Sequence, residues 1–128
     1  MKLLLDTHTV LWSAINDPQL SQAARVALLN PSNTLYLSSA TAWEIVIKHA
    51  TGKLTLPDTP ERFVRQAILQ GGYTVLEIAL DHTLAVAALP EHHKDPFDRI
   101  LIAQALHEGL TVLGNDALVA RYGVPMLW

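Results

Sequence analysis

The 128-residue chain contains no cysteine. A disulfide scaffold, a thiolate zinc site and a cysteine nucleophile are therefore excluded. The lack of thiols fits a reducing compartment. Long apolar runs are also missing: nothing approaches the ~20 residues needed to span a bilayer. The opening Leu3-Leu4-Leu5 is cut by Asp6 and is too short for a secretory signal. The expectation is a soluble, cytoplasmic protein with no membrane contact. Charge of one sign is scarce, since 9 basic and 12 acidic residues leave a net charge of −3. A phosphate partner would have to be met by a local patch or through metal ions, not by a global basic field. Linkers, repeats and low-complexity stretches are absent. With 50% hydrophobic residues, residues 1–128 read as one domain able to bury its own core.

What is present is an alternation of short apolar runs and helical stretches. Leu3–Leu5 lacks polar alternation and reads as a strand buried on both faces. A helix through Val10–Ala14 stops at Asn16-Asp17-Pro18. Ser21 caps a second helix to about Leu29. Thr34–Ser38 is a second strand, followed by a helix over about Ala42–Ala50 capped by Ser39 or Thr41. Thr59-Pro60-Glu61 opens a helix to about Gln70, stopped by Gly71-Gly72. Tyr73–Ile78 is a third strand, and Asp81 caps the helix after it. Asp95-Pro96 opens a helix to about Glu108 with Gly109 as its stop. Leu110–Leu113 is a fourth strand, Ala117–Arg121 a short helix and Pro125–Trp128 an edge strand. Crossovers of this length give parallel pairs with right-handed connections. The fold class is α/β, in three layers, with a central parallel sheet of four to five strands flanked by helices.

Ligands of such sheets sit beyond the carboxyl ends of the strands. Asp6 ends the first strand, and Asp116 follows the fourth in Gly114-Asn115-Asp116. Glu44 lies early in the helix after the second strand. Asp98 lies in the first turn of the helix before the fourth. Four acids from distant segments can thus face one edge. Close carboxylates repel and raise one another's pKa, a cost that a divalent cation reverses. An all-oxygen set favours Mg²⁺ or Mn²⁺ over zinc or copper. Such ions can activate water for in-line attack on a phosphodiester. Each acid also has a plain structural role open to it: Asp6 as a strand end, Glu44 as an i,i+4 pair with Lys48, Asp95 and Asp98 at a helix start, and Asp116 as a cap.

The motifs Leu3-Leu4-Leu5-Asp6-Thr7-His8, Ser38-Ser39-Ala40-Thr41-Ala42-Trp43-Glu44-Ile45, Asp95-Pro96-Phe97-Asp98-Arg99-Ile100-Leu101-Ile102-Ala103-Gln104-Ala105 and Leu110–Asp116 together resemble the four motifs of PIN-domain proteins. At this size the chain is similar to VapC-type ribonuclease toxins of toxin–antitoxin pairs. The resemblance implies a PIN-like fold and an Mg²⁺- or Mn²⁺-dependent endoribonuclease. Asp6, Glu44, Asp98 and Asp116 would be its catalytic and metal-binding carboxylates, with Thr7 as a hydroxyl that organises the site. Asn115 could serve beside Asp116 or in its place. The resemblance also implies a homodimer, a cognate VapB-type antitoxin and a structured RNA substrate such as tRNA. Hydrolysis would leave a 5′-phosphate and a 3′-hydroxyl.

Around these motifs, His92-His93-Lys94 and Arg99 flank the third motif as candidate RNA phosphate contacts, Lys94 and Arg99 foremost. His8 is either a neighbour of the site or structural. His49, His82 and His107 read as structural, and Trp12 and Trp43 as core. Leu28, Leu29, Val64 and Ile68 read as packing residues or a dimer face. A phosphoacceptor receiver domain needs a lysine after a late strand, and no lysine follows Lys94. An inactive interaction module would not need all four acids. An RNA-processing nuclease without an antitoxin differs only in its gene neighbourhood.

Overall fold

The computed structural model describes residues 1–128. Its elements run β1 Lys2–Leu5, α1 Thr7–Ile15, α2 Gln22–Leu29, β2 Thr34–Ser38, α3 Ser39–Ala50, α4 Pro60–Gly71, β3 Thr74–Leu76, α5 Leu80–Ala85, a 3₁₀ turn Val86–Ala88, α6 Pro96–Glu108, β4 Thr111–Leu113, α7 Ala117–Ala120 and β5 Met126–Leu127. The five strands form one sheet in the order β3-β2-β1-β4-β5, and every pairing is parallel. The expected α/β architecture is thus present, with five strands.

β1 explains the apolar run at the start of the chain. Leu3 and Leu5 point to one face, where they pack with Val10, Leu20, Ala24 and Ala27 of the α1–α2 segment. Leu4 points to the other, with Ala40, Leu101, Ile102 and Val119. A strand covered by helices on both sides has no solvent face to alternate toward. Burying each leucine contributes roughly 1.5–3 kcal/mol.

Several element starts differ from the sequence expectation. Ser38, not Ser39 or Thr41, caps α3: its side chain accepts from the Ala40 N–H. Strand β2 therefore passes into α3 without a loop. Asp81 does not cap α5. The helix starts two residues earlier, at Leu80 with Ala79 in the cap position, and the Ala79 N–H donates to His82 Nδ1. The third strand is only three residues long because it lies at the sheet edge, paired on one side alone. The α6 boundaries are as the sequence signals give them. Asp95 accepts from the Phe97 and Asp98 N–H groups, Pro96 begins the helix, and Gly109 closes it at φ 67°, a conformation costly for any other L residue except asparagine or aspartate.

A buried polar chain ties the carboxyl end of β2 to α6. Ser38 Oγ donates to Gln104 Oε1 at 2.5 Å, and Gln104 Nε2 donates to the Glu77 carbonyl at 3.3 Å. Both side chains are fully buried, so each depends on the other for satisfaction. This link sets α6, and with it Asp98, against the end of β2.

Candidate active site

Strand order reverses at β1, with β2 on one side and β4 on the other. That switch point is where an open α/β sheet leaves a crevice. Asp6 leaves β1 there. Its backbone N–H donates to the Leu113 carbonyl of β4 at 3.1 Å. Its Oδ1 accepts from the His8 N–H at 3.0 Å and so caps α1. Asp116 does the same for α7, with Oδ1 accepting from the Leu118 N–H at 2.8 Å. Capping and site chemistry are compatible here, because each cap uses one carboxylate oxygen and leaves Oδ2 for the crevice.

Glu44, one turn into α3, is 3% exposed. Its Oε1 accepts from Thr7 Oγ1 at 2.7 Å. Its Oε2 is paired with Lys48 Nζ. The sequence pairing of Glu44 with Lys48 is therefore real, but it is not an exposed pair. The Thr41 hydroxyl lies 3.3 Å from Thr7 Oγ1, whose single hydrogen is used on Glu44. Asp98, at the third position of α6, shares with Asp6 an apolar-walled cavity lined by Leu4, Leu5, Leu101, Ile102, Val112 and Val119.

The electrostatics show that the acids act on one another. Burial raises the Asp6 carboxyl above the ordinary carboxylate range, with Asp116 and Glu44 adding repulsion against the His8 amide. Asp98 is pushed up to about 7, first by burial and then by Asp95, Asp6 and Glu44, with His93 opposing. The Lys48 ammonium is held above its usual value by its hydrogen bond to Glu44, which outweighs its own desolvation, and by the charges of Asp95 and Asp98. Such a set of mutually repelling oxygen donors fits a hard divalent cation. Replacing Lys48 by Met should leave the buried Glu44 charge unpaired and cost about 1 kcal/mol, discounted because the ammonium is partly solvated. Urea unfolding in EDTA measures it.

The other sequence candidates are placed differently. Asn115 and Lys94 are exposed. Arg99 does not reach outward as a phosphate contact would: its guanidinium donates to the carbonyls of Val86, Leu89, Pro90 and His93 and to Tyr122 Oη. His8 Nδ1 lies 3.8 Å from Asp6 Oδ1. Trp43 is 58% exposed, not core, and stacks edge-to-face on Phe97 at 5.2 Å. Leu29 is likewise exposed. His82 is buried against Glu108 at 2.8 Å.

Two contributions are not legible in the sequence. His93, expected with its neighbours as a phosphate contact, instead has Nε2 2.9 Å from Asp98 Oδ2 and 3.4 Å from Asp116 Oδ2, and no local sequence pattern announces that placement. Gly114 is the other: a Cβ there would fall 2.8 Å from Asp6 Cβ and 3.0 Å from Asp6 Oδ2. A glycine two residues before the candidate acid Asp116 is the available signal.

The family model described as PIN domain matches residues 3–124. Among solved structures, VapBC2 from Rickettsia felis, bound to a DNA fragment from its promoter, aligns with a TM-score of 0.73 and 15% identity, over 98% of this chain and 97% of that one. The DNA-bound VapBC from Salmonella typhimurium aligns with a TM-score of 0.68 and 23% identity, over 98% and 96%. FitAcB from Neisseria gonorrhoeae gives 0.65 and 21%, over 97% and 95%. At such identities the likeness is one of fold. No curated protein gives a sequence match.

Proposed function

The chain belongs to the PIN domain family, and from that premise we propose that it is a VapC-type endoribonuclease, the toxin of a toxin–antitoxin pair. The observation that supports this reading is electrostatic: Asp6 feels the charges of Asp116 and Glu44, Asp98 those of Asp6 and Glu44, and both carboxyls are raised foremost by burial. These four carboxylates would hold Mg²⁺ or Mn²⁺. Bound there, the ion would supply water activation and neutralise charge on an RNA phosphodiester during in-line displacement.

The chain's own residues set the stage for that step. Thr7 fixes Glu44 through Oε1, and the Asp6 and Asp116 caps fix both carboxylates against rotation. The leucine, isoleucine and valine wall behind Asp6 and Asp98 keeps water off that side and strengthens charge interactions. No side-chain nucleophile is required, and the products would be a 5′-phosphate and a 3′-hydroxyl.

The VapBC neighbours support a VapB-type antitoxin as partner. The exposed Trp43, Val46 and Ile47 of α3 offer apolar surface beside the site, and the proposal includes a homodimer. Purified chain incubated with total RNA should cleave it with Mg²⁺ or Mn²⁺ and stop on EDTA addition. Cleavage that persists in EDTA would refute the reading.

A further inference from the structure

We propose that His93 is a positioning residue of the acidic site, its Nε2 hydrogen-bonded to Asp116 and in contact with Asp98 at 2.9 Å, and so joining the third and fourth carboxylates into one ligand set. The proposal rests on the nuclease reading and deepens it. Its basis is the way the loop before α6 is held. Tyr122 Oη accepts from the backbone N–H of His92 at 3.1 Å and of His93 at 2.8 Å. Arg99 Nη1 donates to the Pro90 carbonyl at 2.8 Å, to Tyr122 Oη at 3.2 Å and to the His93 carbonyl at 3.4 Å. Its Nη2 reaches the Val86 and Leu89 carbonyls at 3.2 and 3.4 Å. Two side chains, from α6 and from the turn after α7, thus bind this loop at four backbone carbonyls and two backbone amides between Val86 and His93.

The result is a histidine with its ring largely buried and its orientation fixed. His93 Nδ1 accepts the Asp95 N–H at 3.2 Å. A neutral imidazole has one N–H and one acceptor nitrogen, so the hydrogen sits on Nε2. That nitrogen faces Asp98 Oδ2 at 2.9 Å and Asp116 Oδ2 at 3.4 Å. His93, Asp98 and Asp116 have the spacing of a three-ligand metal group, yet this tautomer makes the histidine a donor and not a ligand. Asp98 stands on α6 and Asp116 follows β4. Without a shared donor, their negative oxygens would repel and settle apart. Outer hydrogen bonds of this kind hold metal-binding carboxylates in register. The same network accounts for Arg99 facing inward: it shapes the loop that aims His93.

The test is calorimetric titration of Mn²⁺ into the wild type and the His93→Phe, His93→Gln and Asp98→Asn variants, each checked for folding by thermal unfolding. His93→Phe should weaken Mn²⁺ binding about 10-fold. His93→Gln keeps an N–H donor at similar reach and should recover most of that loss. Should phenylalanine disrupt folding, His93→Asn, too short to reach Asp98, replaces it. Unchanged affinity in a folded His93→Phe protein would overturn the proposal. So would a glutamine variant as impaired as phenylalanine, or a loss confined to Mn²⁺ and absent for Mg²⁺, the mark of a nitrogen ligand. If the wild type binds neither ion, the nuclease reading falls together with the clamp. If the wild type binds, Asp98→Asn does not and His93→Phe is normal, only the clamp falls.

Discussion

Asp98→Asn should abolish RNA cleavage, on the order of 1,000-fold, while making the metal-free fold more stable. The two effects share one cause. Asp98 is pushed up to about 7, foremost by burial and then by Asp95, Asp6 and Glu44. A carboxyl whose folded value is raised favours its neutral form in the fold. The associated stability is complete below the unfolded value near 4 and is lost as pH rises through about 7. Asparagine imitates the neutral form at every pH, so the variant should gain most above pH 7 and nothing near pH 4. A shift of three units would set a ceiling of roughly 4 kcal/mol. Partial solvation of the side chain lowers the expectation to about 1–2 kcal/mol, or several degrees in Tm. Thermal scans in EDTA at pH 4.5 and pH 8 measure the difference. A variant that loses stability at pH 8 would show that Asp98 serves the fold and not the site. Full cleavage by the variant at saturating metal would remove it from the site altogether.

Gly114→Ala should lower cleavage about 100-fold without touching any ionisable group. A methyl at position 114 would lie 2.8 Å from Asp6 Cβ, 3.0 Å from Oδ2 and 3.3 Å from Cγ. Asp6 cannot back away, because its N–H is bonded to Leu113 and its Oδ1 caps α1. The conflict is resolved by shifting the carboxylate or prising β4 from β1. Displacing a catalytic group by about 1 Å is enough for a 100-fold loss, and overpacking at a buried position costs about 1–3 kcal/mol. Steady-state cleavage and urea unfolding read the two consequences. Wild-type activity in Gly114→Ala would mean that Asp6 has no fixed position to lose.

Local signals in the chain were strong wherever one short stretch determines the outcome. Asp95-Pro96 and Gly109 bracket α6 because capping, a preset proline φ and a left-handed stop act on adjacent residues. Leu3–Leu5 marked a central strand because both its faces are covered. The parallel arrangement then followed from the crossovers, and it carried Asp6 and Asp116 to the same edge of the sheet. The structural and chemical readings of those two acids, which compete in the sequence, coexist once the two oxygens of each carboxylate are distinguished.

What escaped the sequence depends on partners far along the chain. His93 is aimed by Tyr122, 29 residues away, and by Arg99, whose charge suggested an outward phosphate contact until its carbonyl partners were visible. Gly114 matters only because β4 lies beside β1. Trp43 has the apolar surface of a core residue, yet it is exposed and packs edge-to-face on Phe97. Asp81 has the chemistry of a cap, but α5 begins before it, at Leu80, where the buried His82, held by Glu108 from the end of α6, accepts the Ala79 N–H.

The most direct test is an anomalous difference map from crystals grown with Mn²⁺. One peak or a close pair within coordination distance of Asp6, Glu44, Asp98 and Asp116, and lost in Asp98→Asn crystals, is the predicted result. Manganese bound only elsewhere, or a map without a peak between these carboxylates at saturating Mn²⁺, would contradict it.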